Sequence, residues 1–317
     1  MDRLDSMTVF RRVAELGSFS AVARQMDVAR SVVTRQVAAL EAHLGVKLIA
    51  RSTRQLSLTS AGIAYLEKCR EILNLVEAAE SDVVQERQVP RGHIRISVPL
   101  SFGLRHLTPL LLDFGAAYPD VSLEVDYTDR KVNLIEEGAD LAIRITGRLG
   151  PQEVARRISV SRMIVVAAPE YLEKHGEPQH PAELIGHECF GYTPIDRFSW
   201  NFLIDGQVTA FPVRNRLCAN NGDALLDAAE RGMGLTNPPT FIAASAIEAG
   251  LVKPILTAFA QPELGIYAIY PGNRYVPQRV RLLVDFLIER IGPDPYWDSV
   301  ALFGGRKRPV GGKQVKK

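Results

Sequence analysis

Between Ser18 and Gly62 the chain reads SFSAVARQMDVARSVVTRQVAALEAHLGVKLIARSTRQLSLTSAG: two short helices, a tight turn, a basic hairpin and the start of another helix. Few folds accommodate that order. A preceding amphipathic helix is expected from about Leu4 to Leu16, with Leu4, Met7, Phe10 and Val13 on one side and Gly17 as its stop. Glycine suits the left-handed residue after a helix, and Ser18 can cap the next one. The second helix, about Phe19 to Met26, carries Ala21 and Ala23, small enough to permit a close helix crossing. Asp27 stands at the turn, where aspartate tolerates a left-handed backbone better than most residues.

The third helix is the informative one. Val33, Val37, Leu40 and Leu44 recur at helical spacing, the stripe of a helix lying on a core. The opposite face carries Ser31, Arg35 and Ala38, flanked by Thr34 and Arg30. Such a face is slim enough for a major groove, where arginine can grip guanine with two bonds and alanine can touch a thymine methyl. From Lys47 to Leu58 the alternation of Leu48, Leu56 and Leu58 is interrupted by Arg51-Ser52-Thr53-Arg54. A hairpin tip of this composition suits phosphate or minor-groove contact, through Arg51, Thr53 and Arg54. Thr59 then caps a new helix.

These residues carry a resemblance. Phe10, Gly17-Ser18-Phe19, Ala21, Ala23, Thr34-Arg35, Leu40-Glu41, Leu44-Gly45, Leu48, Arg51, Arg54, Leu58-Thr59 and Ala61-Gly62 resemble the N-terminal domain of LysR-type transcriptional regulators, and the resemblance continues to about residue 292. Two departures stand out. Asp27 occupies a position where the family usually has glycine, and Ala29-Arg30 replaces a serine followed by a small or polar residue. Alanine is a poor N-cap, so the start of the recognition helix is less firmly fixed.

A chain of 317 residues suggests at least two domains. Its net charge of +2 is unevenly spread: residues 1–58 hold nine basic and five acidic residues, and residues 304–317 hold six basic and none acidic. The body between is therefore acidic, as suits a protein that touches DNA with one end. The tail GGRKRPVGGKQVKK reads as disordered. No apolar run is long enough to span a bilayer, and MDRLDSM contains no signal region, so a cytoplasmic protein is expected. Cys69, Cys189 and Cys218 lack metal-ligand spacing and read as reduced structural thiols.

From Thr59 to about Gln88 the pattern is one long helix with a narrow stripe at Leu66, Cys69, Leu73, Val76 and Val83. A lone helix of that kind needs a partner. The resemblance implies that Leu66, Leu73 and Val76 pair with a second subunit, and that dimers assemble into a homotetramer. Packing on the rest of its own chain is the other reading.

After Pro90-Arg91-Gly92 the chain alternates strands and helices. Strands are expected at 94–98, 121–127 and 140–145, a helix from Phe102 to Tyr118, and a short helix ending at Gly138. A second α/β portion follows from about 164, returning to the first near 264–270. Ligands of doubly wound sheets sit beyond the carboxyl ends of the strands. Ser101, Phe102, Thr146, Asn221, Asp223 and Pro238 lie at such junctions, and they match effector-contacting positions of the family. Two helix N-termini there favour a small organic anion.

The expected architecture is thus multidomain α+β: an all-α winged helix-turn-helix domain (1–58), a linker helix (59–89), a two-lobed α/β effector domain like periplasmic binding proteins (90–303, lobe I at 90–163 and 267–292, lobe II at 164–266), and the basic tail. Expected partners are double-stranded DNA with a pseudo-palindromic operator, a small-molecule effector and further copies of the chain, with RNA polymerase as one more that the resemblance admits; no membrane, metal or cofactor is expected. A cytoplasmic small-molecule-binding protein with a nonspecific DNA-binding module is the alternative. An enzyme is disfavoured, because Gly232-Met233-Gly234 is no dinucleotide fingerprint, no Gly-x-Ser-x-Gly elbow exists, and the six histidines form no metal pair. His93 and His106 read either as ligand contacts or as exposed polar residues, the second being the simpler reading.

Overall fold

A computed structural model describes residues 2–51, 56–83, 90–130, 133–151, 153–194, 198–272 and 276–298. The expected basic tail, and Thr53 and Arg54 at the hairpin tip, lie outside the described residues.

The chain divides into two compact units. In the first, helix α1 (Arg3–Leu16) starts on Asp2, whose carboxylate accepts from the Leu4 amide, and ends on left-handed Gly17. Helix α2 (Phe19–Gln25) is capped by Ser18, whose hydroxyl accepts from the Ala21 amide. Helix α3 (Arg30–Leu44) buries Val33, Val37 and Leu40. Together with Met7, Phe10, Val13 and Val22 these form one core. Strands β1 (Ile49–Arg51) and β2 (Leu56–Leu58) pair antiparallel, the wing expected from the alternation. Thr59 caps helix α4 (Ser60–Val83) through the Gly62 amide, and its hydroxyl also reaches the Lys47 carbonyl. Gly62 is required by close approach: a Cβ there would lie 2.0 Å from the Leu48 carbonyl oxygen.

The second unit holds two five-stranded sheets. The first has order β4-β3-β5-β14-β6, built from β3 (Gly92–Val98), β4 (Val121–Tyr127), β5 (Leu141–Thr146), β6 (Val154–Ser161) and β14 (Leu264–Tyr270). The expected lobe boundary at residue 267 falls inside β14. The second sheet has order β11-β8-β12-β7-β13, from β7 (Val165–Ala167), β8 (Glu188–Tyr192), β11 (Arg214–Ala219), β12 (Leu235–Thr236) and β13 (Lys253–Ile255). The antiparallel pair β9 (Ser199–Ile204) and β10 (Gln207–Pro212) carries Trp200 and Phe202 into the second lobe's core.

Leu100–Phe102, a π turn at Gly103–Leu107 and Thr108–Ala117 form one continuous helix, α5. Gly103 lets this helix approach the sheet, since a Cβ would meet Val98 and Tyr127 at 2.7 and 2.8 Å. The helix expected to end at Gly138 is instead a turn over 134–138 that closes on left-handed Gly138, φ 63°. Few residues separate it from β5, and a helix needs more length than that to repay its nucleation. Helix α6 (Pro169–His175), helix α7 (Gly222–Glu230), helix α8 (Thr240–Glu248) and helix α9 (Gln278–Ile291) complete the unit.

Candidate DNA-reading face and effector crevice

The outer face of α3 is as the spacing implies. Arg30, Ser31 and Arg35 are exposed, while Thr34 and Ala38 are half-buried at its edges. The Thr34 hydroxyl donates back to the Arg30 carbonyl at 3.0 Å. Ala29 makes no side-chain cap, and Asp27 takes a left-handed conformation with φ 51°. A concavity of 560 Å³ opens at this turn, lined by Ser20, Ala23, Arg24, Asp27, Val28, Ala29 and Arg30. Ser20 and Arg24 are exposed beside the reading face and went unmarked from the sequence; their signal was a helical offset from Asp27, too weak to use alone. Arg51, expected in the hairpin tip, is instead the last residue of β1, because the strand pairing runs one residue further than the leucine alternation indicates.

Glu41 is the unexpected element. It is buried on the inner face of α3. One carboxylate oxygen accepts the Leu48 and Ile49 amides at 3.0 and 3.1 Å, and the other meets the Lys47 ammonium at 2.7 Å. Burial alone would push its pKa up, but Lys47 and the two amides outweigh it and hold the carboxyl below the ordinary range. The wing is thereby fastened to the helix that reads DNA.

The stripe on α4 has an occupant within its own unit. Leu66 and Cys69 are buried in the core formed by α1 and α3, and Leu73 packs against the same cluster. Phe10 meets Tyr65 with ring centroids 5.9 Å apart, and Arg70 bonds Glu15 and Glu67. Leu66 is therefore a core residue of the DNA-binding unit, because periodicity shows that a face is covered without showing by what. Val76 is half-buried. A second apolar edge, Ile72 and Leu75, is left to solvent, Leu75 at 57%. Burial pushes the Cys69 thiol up to about 11 and Cys189 to about 12, which suits inert thiols.

In the second unit the strand ends of both lobes converge on α5 and α7. The Ser101 hydroxyl of lobe I donates to Asp223 of lobe II. Arg105 grips the other oxygen of Asp223 with Nε at 2.9 Å and Nη2 at 2.6 Å. The Leu100 amide, at the start of α5, donates to Asp129 at 3.2 Å. Asp129 is exposed as a residue, yet partial burial of its carboxyl pushes its pKa up, and the Asp223 charge adds to that against Leu100 and Arg144. Tyr192, at the end of β8 in the other lobe, is pushed up to about 12 by burial and by Asp129. The Arg144 guanidinium donates to the Ser97 hydroxyl at 2.8 Å and to the Ile143 carbonyl at 2.7 Å.

Other expected contact residues are engaged by their own neighbours. Thr146 exchanges bonds with the backbone of Arg148, and Asn221 caps α7 through the Ala224 amide at 3.1 Å. Phe102 is fully buried, stacked edge-on against Phe241 and Trp297 at 5.1 and 5.6 Å. Pro238 is buried too, and its carbonyl accepts the Ile164 amide at 3.0 Å where the chain crosses between lobes. An apolar residue beside a predicted site reads the same from sequence whether it lines the site or underlies it.

His106 also departs from expectation. It is buried, with Nε2 bonded to the Phe241 carbonyl at 3.0 Å and Nδ1 to the Tyr296 hydroxyl at 2.5 Å. Trp297 packs against it with its ring tilted, and Asp298 binds Thr240 and Arg162. This short segment after α9 straps α5 to α8. Burial holds the His106 pKa below 6.5, so the unfolded chain takes up a proton that the folded one resists. Stability should be full above about pH 6.5 and decline as pH falls below it; in His106→Phe the decline in melting temperature between pH 7 and pH 5.5 should be shallower. Parallel slopes would mean the site contributes nothing to that window.

Among the described residues, no group of His, Cys, Asp and Glu could hold a metal ion, and no helix is long and apolar enough to cross a membrane.

Residues 87–292 match the family profile described as LysR substrate binding domain, and residues 4–63 match that of the bacterial regulatory helix-turn-helix protein, lysR family. An HTH-type transcriptional regulator of Xanthomonas campestris pv. campestris is 36% identical over 296 residues, covering 92% of this chain and 86% of that protein. The HTH-type transcriptional regulator CrgA of Neisseria meningitidis serogroup C is 35% identical, covering 91% and 97%. The solved structure of CrgA from Neisseria meningitidis aligns with a TM-score of 0.58 at 34% identity, over 91% of this chain and 98% of that one. Full-length AphB of Vibrio cholerae gives 0.56 at 28%, over 91% and 99%.

Proposed function

Since the chain belongs to the LysR family of transcriptional regulators, with a helix-turn-helix DNA-binding domain and an effector-binding domain, we propose that it reads its operator with Arg30, Ser31, Thr34, Arg35 and Ala38, holds the flanking backbone with Arg51, Thr53 and Arg54, and senses a small organic anion between its lobes. The observation that carries the first part is the division of α3, with Val33, Val37 and Leu40 locked inward and Ser31 and Arg35 turned outward. Arg35 lies at the centre of the face and can span two acceptors of a guanine, whereas the wing residues are assigned to the flanking backbone.

The effector is held around Ser101, Thr146, Asn221 and Asp223. Two copies join through α4, using Leu73, Val76 and the exposed Ile72–Leu75 edge, and pairs of dimers form the working tetramer. The effector shifts the assembly only if it binds one geometry better than the other. RNA polymerase is the natural downstream partner, the cytoplasm is the compartment, and no residue is assigned a catalytic role.

Selection from random double-stranded oligonucleotides tests this. The full chain should enrich a two-fold-symmetric site whose half-sites lie about 10 base pairs apart or a multiple of it. Enrichment of no sequence, or of one without symmetry, would contradict the reading.

A further inference from the structure

Resting on the reading of the crevice as the effector site, we propose that the effector is a carboxylate that takes the place of the chain's own Asp223 at Ser101 and Arg105, so that ligand binding and release of the lobe-to-lobe contact are one exchange. Both oxygens of Asp223 are engaged, one by the Ser101 hydroxyl and one by two guanidinium nitrogens of Arg105. Three donors from one lobe thus close on a carboxylate supplied by the other. Ser101 is only 8% exposed, so its hydroxyl is set into the wall of the crevice. Donors in that arrangement suit a carboxylate, because charge-assisted bonds to both oxygens fix its position and orientation.

The alternatives fare worse on the same geometry. A cationic ligand displacing Asp223 would leave Ser101 and Arg105 facing a like or unpaired group, and a neutral one would forfeit the charge-assisted bonds. A ligand carboxylate restores each of them. Asp223, once released, stays in the first turn of α7, where the helix dipole favours an acidic side chain. The tethered carboxylate competes at high effective concentration, so a free carboxylate binds the native chain more weakly than the seat alone would allow.

The test titrates the full chain with acetate and benzoate by calorimetry, with acetamide and benzamide as neutral controls. Asp223→Asn and Asp223→Ser should each bind a carboxylate probe about tenfold or more tightly than the native chain, with the amides unaffected. Adding Ser101→Ala to Asp223→Asn should cancel the gain. Carboxylate affinities that are equal or undetectable in the native chain and the variants would overturn the exchange, as would a gain that survives Ser101→Ala. The underlying reading is judged separately. If a metabolite screen finds a ligand whose binding fails in Thr146→Val or Asn221→Ala while Asp223 and Ser101 variants bind it normally, the crevice stands and the exchange falls. Binding indifferent to every crevice substitution would remove the crevice itself.

Discussion

Glu41→Ala should lower the stability of the DNA-binding unit by about 2–6 kcal/mol, because the Leu48 and Ile49 amides would be left buried without an acceptor, at about 1–3 kcal/mol each. Both amides donate to the same Glu41 oxygen, and both residues are buried. Glu41→Gln keeps a carbonyl oxygen for them and loses the Lys47 pair; Lys47 is 72% exposed, so that ion pair contributes little and the loss should be about 1 kcal/mol or less. Amide hydrogen exchange decides: Leu48 and Ile49 should lose protection strongly in the alanine variant and modestly in the glutamine one. Operator affinity should follow the alanine variant down, since the wing would no longer be tied to α3. Unchanged protection in Glu41→Ala would show that the wing is anchored by its apolar contacts alone. The depressed pKa has a consequence of its own: the stabilisation is complete above the ordinary value of 4.5 and is lost as pH falls through the lowered one.

Leu75→Glu should convert dimers into monomers. An unpaired carboxylate buried at a seam costs on the order of 3–5 kcal/mol, equivalent to roughly two to four powers of ten in a dissociation constant. Leu75 is exposed in the single chain, so the substitution should leave the fold intact, whereas Leu66→Glu would place a charge inside the DNA-binding core. Sedimentation should show Leu75→Glu folded but monomeric, with operator binding reduced because two half-sites are no longer engaged together. A native sedimentation profile would move the interface away from this edge of α4.

What the sequence made legible was mostly local. Gly17, Ser18 and Thr59 announced helix ends because capping and left-handed turns depend on a few adjacent residues. The stripe Val33, Val37 and Leu40 identified the inner face of α3, and hence its outer one. The occupant of a buried face was not legible. Leu66 shares its spacing with a dimer seam, yet is buried in the core of its own unit. The partners of Glu41 arrive only with the wing, six to eight residues further on, so its burial has no local signature. The contact between Ser101 and Asp223 joins residues 122 apart in sequence, beyond any periodicity. The positions themselves were foreseen from strand ends, but that one would occupy the other was not. Phe102, His106 and Trp297 form one aromatic cluster because α5 and the segment after α9 meet in space. Nothing in their spacing joins them.

The central claim is that α3 reads bases through Arg35, and comparison of the sequences selected by the native chain and by Arg35→Ala tests it most directly. Arg35→Ala should lose about 1–3 kcal/mol on the preferred site and relax the preference at one base pair in each half-site, leaving the others as they were. The dependence of affinity on salt should change far less than the preference does, since the lost contact is to a base edge and not to phosphate. An Arg35→Ala protein that enriches the same sequence with undiminished preference at every position would contradict the account.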